Sequence, residues 1–247
     1  MLCGQGLAVP VEQFSRSHHR KIAHVLRSLD GAMLREHQCL FAGGTVIALR
    51  YGEYRESVDM DFLVSDVAAY RNLRQLLNKP DGISNISRKG AVPWIQQREV
   101  RADQYGIRTE LMVENQSIKF EIVLEGRISL EQPGKKDEVC GIATLTPLDM
   151  ATSKLLANSD RGLDAGVFSR DIIDLAMMKP STALLRRAVN KAESAYGESI
   201  QRDLEKSIQH MQDNPDWLDR CMTVMAMTLP RAVVWRNIRA LRKVFIT

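Results

Sequence analysis

The sequence predicts an α/β fold of the α+β kind, in which a mixed sheet with flanking helices is followed by a second, helical half. Two observations predict the first half. Short apolar runs alternate with helix-like segments over residues 40–79, and residues 83–145 contain two stretches of period-two alternation. From Thr146 onward the pattern is almost wholly helical. We therefore expect one domain over residues 1–145 and a helical domain over residues 146–247.

Composition places the chain among ordinary globular proteins, with 247 residues, 45% hydrophobic and 26% charged. Charges break every apolar run well short of the ~18 residues that a spanning helix needs. Residues 1–10 lack the basic start and long apolar core of a secretory signal, so we expect a cytoplasmic protein with no membrane role. The scattered cysteines Cys3, Cys39, Cys140 and Cys221 form no CxxC pair, which favours buried thiols over disulfides or a zinc site.

The first predicted element is one helix over residues 11–38, because apolar residues recur at helical spacing from Ile22 to Met33. This segment contains two adjacent histidines, His18 and His19. On a helix, adjacent side chains point about 100° apart. We therefore expect both histidines at the surface rather than bound to a metal.

Strand and helix signals then alternate closely. CLFAG (39–43) predicts a short buried strand, GTVIALRYGE (44–53) a helix begun by glycine, and DMDFLV (59–64) a second strand. A further helix over residues 67–79 stops at the turn signal Pro80-Asp81-Gly82. Downstream, GIRTELMVE and SIKFEIVLE alternate in polarity, and residues 114–117 join them as a predicted hairpin.

Two aspartates separated by one residue, Asp59 and Asp61, lie in the second predicted strand, where aspartate is rare. Residues i and i+2 of a strand project from one face about 6.5 to 7 Å apart, so both carboxylates enter one space while Met60 and Phe62 face the core. Like charges placed in this way repel each other. A divalent cation relieves the repulsion, and carboxylate oxygens suit Mg²⁺.

A glycine pair, Gly43-Gly44, lies at the preceding strand-to-helix junction, where Thr45 adds a hydroxyl. A backbone without side chains allows phosphate to approach the amides at a helix amino terminus. Together with Asp59 and Asp61, this turn predicts a site for a nucleoside triphosphate and Mg²⁺.

Glu121 is the candidate third carboxylate, because phosphoryl transfer with two metal ions usually needs one to hold the second ion and activate the attacking hydroxyl. It lies with Lys119 on the polar face of the alternating strand. The apolar face carries Ile118, Phe120 and Ile122. Glu125 has the same parity but ends the strand, and Glu110 belongs to the neighbouring strand. A solvent-facing role for Glu121 is the alternative.

The pattern GGT followed by RESVDMDF resembles the DNA polymerase β-type nucleotidyltransferase superfamily and, within it, the AbiEii/AbiGii-type toxin family. The resemblance implies that the glycine turn contacts the triphosphate and that the two aspartates bind Mg²⁺. It carries these roles to Gly43, Gly44 and Thr45, and to Asp59 and Asp61. Arg55 and Ser57, just before the aspartates, are expected to orient them or the substrate.

Residues 146–178 resemble the later motifs of that family, a lysine in a helix and then R-D-x-x-D-L. Thr146 with Pro147 and Asp149 predicts a capped helix start, which places Lys154 two turns in. A lysine there can reach triphosphate oxygens as a point charge. The resemblance implies that Lys154 and Asp171 serve the nucleotide site.

Simpler alternatives exist for this second block. Lys154 is then a solvated lysine, and Arg170 pairs with Asp174 only to fix its helix. The loop over residues 162–169 also departs from the family pattern, because it lacks basic residues before the R-D motif.

These features predict a Mg²⁺-dependent nucleotidyltransferase, with two ions expected, that moves a nucleoside monophosphate from an NTP to an acceptor hydroxyl. The family implies a toxin of a toxin–antitoxin or phage-defence pair, acting on tRNA or another RNA and matched by an antitoxin. The alternatives are an antibiotic-type enzyme with an acidic acceptor pocket, lined by groups such as Glu110 and Glu114, a non-catalytic nucleotide-binding module, and a structural protein. The net charge is +4, and the basic tail over residues 231–243 either holds phosphate or forms a solvated helix face.

Overall fold

The computed structural model describes residues 14–90 and 94–245. The helices are α1 Ser17–Ser28, α2 Gly31–Glu36, α3 Gly43–Arg50, α4 Val67–Leu77, α5 Pro147–Arg161, α6 Arg170–Met177, α7 Thr182–Tyr196, α8 Ser199–Asp213, α9 Pro215–Val224 and α10 Arg231–Arg239. The strands are β1 Leu40–Ala42, β2 Met60–Val64, β3 Ile95–Gln96, β4 Arg101–Ala102, β5 Gly106–Val113, β6 Gln116–Leu124, β7 Glu138–Val139 and β8 Ile142–Ala143. Within those two ranges, no helix has the length and apolar character needed to span a bilayer.

The main sheet has the order β1-β2-β6-β5-β3, and β4 pairs with β5 beside β3. Strands β2 and β6 run parallel while the other pairs are antiparallel, which confirms the predicted mixed sheet. Three phenylalanines on adjacent strands, Phe41, Phe62 and Phe120, are fully buried, and their ring centroids lie 5.3 and 5.1 Å apart. The alternation of polarity in β2 and β6 therefore leaves the opposite face of these strands for polar side chains.

The predicted hairpin joins β5 to β6 through a two-residue loop. Glu114 and Asn115 both have positive φ, 46° and 64°, which is the backbone of the two-residue turns that match strand twist. Val113 pairs with Gln116, so the loop is tighter than the predicted 114–117. This turn sets the register of the whole hairpin.

The single helix predicted over residues 11–38 is wrong, because the chain forms α1 and α2 with a break at Leu29. The Leu29 backbone forms a β-bridge with Ser87, and Asp30 then caps α2 by accepting hydrogen bonds from the backbone N–H groups of Ala32 and Met33. An aspartate at an N-cap satisfies donors that a continuous helix would have bonded itself. Residues 11–13 of the predicted helix lie outside the described residues.

The second half of the chain is helical, as predicted. Thr146 caps α5 by accepting a hydrogen bond from the backbone N–H of Asp149, and Pro147 occupies its first turn. The Asp149 side chain has a different role from the predicted capping, because it accepts hydrogen bonds from the Glu131 backbone N–H and from Lys191. Helix α5 packs against α6, α7 and α8, and α3 of the first half contacts both α5 and α6. The domain boundary near residue 145 stays a prediction.

Buried thiols were predicted for the cysteines, and two of the three that the structure describes fit that prediction. Cys39, Cys140 and Cys221 are free thiols, of which the first and last are buried and Cys140 is half-buried. Cys3 lies outside the described residues.

The basic tail forms α10 and a following 3-10 turn, and its side chains bond mainly to neighbouring parts of the chain. Arg231 pairs with Asp219 at 3.0 Å, Arg242 donates to two glutamines of α8, and Lys243 donates to the Pro180 carbonyl.

Candidate active site

The glycine pair begins α3 directly after β1, and each glycine is required by a different neighbour. Gly43 has a φ of +74°, and a Cβ there would lie 2.4 Å from an Asp61 carboxylate oxygen. A Cβ on Gly44 would lie 1.9 Å from an Arg55 guanidinium nitrogen. The sequence predicted room for phosphate at this turn. The structure shows that the glycines also allow Asp61 and Arg55 to approach the backbone.

The two candidate aspartates and Glu121 line one cavity of about 650 Å³. Asp61 on β2 is the register partner of Glu121 on β6, and Asp59 immediately precedes β2. Burial and the neighbouring charges of Asp59 and Glu121 raise the pKa of Asp61. The three acids therefore line the same cavity, and the negative charges of Asp59 and Glu121 disfavour the charge of Asp61.

Each carboxylate oxygen of Glu121 already has a cationic partner. Arg108 Nε lies 2.5 Å from one oxygen and Lys119 Nζ lies 2.7 Å from the other. Burial alone would raise the pKa of Glu121, but Lys119 and Arg108 outweigh it and the pKa is lowered. No group of three or more acidic, histidine or cysteine side chains within the described ranges is arranged to hold a metal ion. Asp59 and Asp61 fit the one or two carboxylates that Mg²⁺ takes from a protein, while Glu121 is occupied.

The partner Arg108 was missed by the sequence reasoning, although the hairpin could have revealed it. With a two-residue loop at Glu114 and Asn115, counting back along both strands places Arg108 opposite Glu121. Arg108 also bonds Asp103 at 3.1 Å.

Lys154 lies on α5 as predicted, but it is buried and paired. Its Nζ lies 2.9 Å from Asp171 and 2.7 Å from Asp174, both on α6. Burial alone would lower the pKa of Lys154, but the two aspartates outweigh it and raise the pKa. Asp171 also accepts from Arg161 at 2.8 Å, and these contacts lower its pKa. The solvated-lysine alternative is therefore wrong, and so is the suggested pairing of Arg170 with Asp174.

Arg55 connects the segment before β2 to α6. Its guanidinium makes two hydrogen bonds to Asp174, of 2.7 and 2.9 Å, and the Tyr54 hydroxyl donates to the same carboxylate at 2.6 Å. Together, Arg55, Lys154, Arg161, Asp171 and Asp174 contain three cations and two carboxylates. The cluster therefore carries one net positive charge beside the acids of the cavity.

Two histidines that the sequence placed at the surface are buried and hold the segment before β2, which corrects that prediction. His19 Nε2 accepts a hydrogen bond from the Ser57 backbone N–H at 3.2 Å, and its Nδ1 lies 2.8 Å from Glu53. These partners require the neutral tautomer with hydrogen on Nδ1. His18 Nε2 lies 3.0 Å from the Val58 carbonyl. Nothing in the local sequence distinguishes such a pair from two exposed histidines.

Thr45 also holds the segment before β2. Its side chain is buried, and its hydroxyl bonds the Asp59 carbonyl at 2.5 Å and the Ser57 hydroxyl at 2.8 Å. Thr45 does not line the cavity, whereas Ser57 does. The Thr45 hydroxyl, which was predicted to face phosphate, thus hydrogen-bonds to the backbone of Asp59 instead.

Arg170, for which the sequence suggested only a pairing with Asp174, lines the cavity. The other cations that line the cavity all pair with carboxylates, namely Arg55, Lys119, Arg127, Lys154 and Arg161. Among the residues described, Arg170 makes no side-chain hydrogen bond or ion pair. Its charge is therefore available to an anionic ligand.

Comparisons with known proteins identify a family. A sequence model of the family described as "Nucleotidyl transferase AbiEii toxin, Type IV TA system" matches residues 25–241. No curated protein matches the sequence significantly.

Two solved structures are similar in fold. JHP933 from Helicobacter pylori is 15% identical, with 92% of this chain and 90% of that chain covered at a TM-score of 0.51. MenT4, nucleotidyltransferase toxin Rv2826c from Mycobacterium tuberculosis H37Rv, is 16% identical, with 93% of this chain and 86% of that chain covered at a TM-score of 0.47. At 15% identity the likeness to JHP933 concerns the fold alone.

Proposed function

The chain belongs to the AbiEii family of nucleotidyltransferase toxins, and from this premise we propose that it moves a nucleoside monophosphate from an NTP to an acceptor hydroxyl and releases pyrophosphate. The observation that carries the proposal is the register of two parallel strands. Asp61 on β2 lies opposite Glu121 on β6, beside Asp59 and the glycine turn, in one cavity.

We propose Asp59 and Asp61 as Mg²⁺ ligands and Glu121 as the third acid. Carboxylate oxygens are the ligands that this hard cation prefers. When bound, Mg²⁺ supplies positive charge against the triphosphate oxygens. The proposed part of Glu121 in deprotonating the acceptor hydroxyl depends on its release from Arg108 and Lys119, because a carboxylate paired with two cations is a weak proton acceptor.

We propose that the triphosphate contacts the first turn of α3 and the cations of the cavity. The backbone N–H groups of Gly43 and Gly44 open that helix, where N–H groups lack helical partners. Arg170 is the unpaired cation, and the cluster around Lys154 adds one net positive charge. Asp171 then positions Lys154 and Arg161, while Arg55 fixes the segment that carries Ser57.

We propose RNA, with tRNA among its candidates, as the acceptor, and a cognate antitoxin as the protein partner. Arg170 lines the cavity without a carboxylate partner among the described residues and suits a phosphodiester backbone. The alternative of a cationic drug loses the two groups named for its acceptor pocket, because neither Glu110 nor Glu114 lines the cavity. Glu110 instead pairs with Arg98 at 2.7 Å. The antitoxin follows from the type IV description of the family.

The test is labelling. The purified protein is incubated with Mg²⁺, total RNA and each α-³²P-labelled NTP in turn, and pyrophosphate is measured in parallel. We expect RNA to become labelled from one or a few NTPs, and we expect Asp59→Ala and Asp61→Ala to lower the rate by orders of magnitude at unchanged circular dichroism. Asp81→Ala, an exposed aspartate outside the cavity, is the matched control. Full transfer by Asp59→Ala, or no pyrophosphate from the wild type with any NTP, would overturn the proposal.

A further inference from the structure

Apolar side chains line the cavity beside its acids. Val58 and Val224 line the cavity with 44% and 54% of their surface exposed, and Val167, Phe168 and Met225 line it with them. Single exposed apolar side chains are common on proteins, but a group around one polar cavity indicates a ligand with an apolar part. Phosphate alone has no such part.

The backbone at Phe168, which lines the cavity, has an unusual conformation. Phe168 and Ser169 both lie in the left-handed region, with φ of 53° and 48°. That conformation costs a residue with a side chain roughly 1–2 kcal/mol, so it persists where the surrounding structure enforces it. The Ser169 hydroxyl accepts a hydrogen bond of 2.9 Å from Trp217 Nε1 on α9. This contact fixes the backbone that presents Phe168.

Aromatic and cationic groups of the neighbouring helices support the Phe168 ring. The rings of Phe168 and Trp217 are nearly parallel, at 12°, with centroids 6.0 Å apart. The Arg220 guanidinium lies 5.8 Å from the Phe168 ring and 5.6 Å from the Trp217 ring. His210 packs edge-on against Trp217 at 6.0 Å. Phe168 itself is only half-buried, which leaves part of its ring to the cavity.

We propose that Phe168, supported by Trp217 and Arg220, is a stacking site for a nucleobase of the reaction. This inference rests on the proposed function, in which the acids would hold Mg²⁺ and Arg170 binds the phosphates of the same nucleotide or of the acceptor strand. A nucleobase has a flat π-face that stacks on an aromatic ring, and the apolar side chains of Val58 and Val224 line the same cavity. The base belongs either to the incoming NTP or to the last nucleotide of the RNA acceptor.

Binding with and without a base tests the proposal directly. Dissociation constants are measured by calorimetry with Mg²⁺ for the four NTPs and for ribose 5′-triphosphate, which has no base. Acceptor binding is measured with short RNA oligonucleotides whose last nucleotide is normal or abasic. The variants are Phe168→Ala, Phe168→Leu, which keeps apolar volume without a ring, and Phe168→Tyr, which keeps the ring. Tyr105→Ala removes an aromatic ring that is 66% exposed elsewhere and is the matched control.

If the base comes from the NTP, Phe168→Ala and Phe168→Leu bind the preferred NTP roughly ten- to a hundredfold more weakly, which is the usual effect of losing one stacked base. Ribose 5′-triphosphate is bound equally by all variants, and Phe168→Tyr restores NTP binding. If the base comes from the acceptor, the same loss appears for the normal oligonucleotide and not for the abasic one.

Equal affinities of wild type and Phe168→Leu for every ligand with a base would overturn the stacking site and leave the proposed transferase intact. If the wild type bound neither NTP nor RNA, the proposed function would fail and the stacking site with it. Circular dichroism of each variant shows whether a loss of binding comes from the site or from unfolding.

Discussion

Arg55 and Asp174 are 119 residues apart in the chain and share two hydrogen bonds of 2.7 and 2.9 Å. Both side chains are buried, at 6% and 0% exposure. The pair lies next to Gly44 and joins the segment that carries the candidate aspartates to α6. It therefore ties the first half of the chain to the helical half at the cavity.

Asp174→Ala should lower the free energy of unfolding by about 3–5 kcal/mol, because it leaves Arg55 and Lys154 buried without this carboxylate. Urea unfolding measures the change. Asp219→Ala, which breaks an exposed pair with Arg231, should cost about 1 kcal/mol or less. Similar losses of unfolding free energy in the two variants would show that the buried pair stabilises the fold no more than the exposed pair does.

Asp61→Asn should raise the melting temperature in metal-free buffer and abolish the stabilisation by Mg²⁺. Burial, Asp59 and Glu121 disfavour the charge of Asp61, so a neutral side chain relieves repulsion. In the wild type, Mg²⁺ at a hundred times its Kd should add about 2.7 kcal/mol by mass action. Differential scanning fluorimetry with and without Mg²⁺ measures both effects, and Asp81→Asn should behave as wild type. A Mg²⁺ shift that survives in Asp61→Asn would exclude Asp61 as a ligand.

Arg170→Ala should raise the KM or Kd for the NTP about tenfold or more, since a hydrogen bond to a charged group contributes roughly 1.5–3 kcal/mol. Arg170→Lys should recover part of the loss, because it restores a point charge. Arg71→Ala, an exposed arginine on α4 outside the cavity, is the control. Unchanged NTP binding in Arg170→Ala would mean that the triphosphate lies elsewhere.

The wild type should lose stability as the pH falls from 7.5 to 5.5, partly through His19. Burial lowers the pKa of His19 below that of the unfolded chain, although Glu53 acts in the opposite direction. The unfolded state therefore binds the proton first, and stability that is present above pH 6.5 is lost on acidification, at no more than about 1.4 kcal/mol per pH unit for one group. Protonation would place hydrogen on Nε2, against the Ser57 N–H.

The measurement is urea unfolding at several pH values. His19→Gln should be less stable than wild type at pH 7.5, and the difference should shrink by pH 5.5. His24→Gln, at an exposed position of the same helix, should keep the wild-type pH dependence. A constant difference between wild type and His19→Gln would show that His19 does not titrate in this range.

Local order was predictable from the residues alone. Helices α3, α4 and α5, strands β1 and β2, the β5–β6 hairpin and the alternating faces of β2 and β6 follow from apolar periodicity and turn chemistry, which act over a few residues. The family resemblance of GGT and RESVDMDF was likewise confirmed. The break at Leu29 was not predictable, because a tertiary β-bridge to Ser87 outweighed the helical pattern.

The pairing of charges was decided only by the tertiary structure. The chain has 34 lysines and arginines and 30 aspartates and glutamates, and outside the β5–β6 hairpin no local rule selects which of them meet. Lys154 with two aspartates of α6, Arg55 with Asp174, and the buried histidines before β2 all depend on contacts between separate elements of the chain. Burial makes an unpaired charge costly, so the buried charges of Arg55, Lys154 and Asp174 met their partners only when α5 and α6 packed against the first half of the chain.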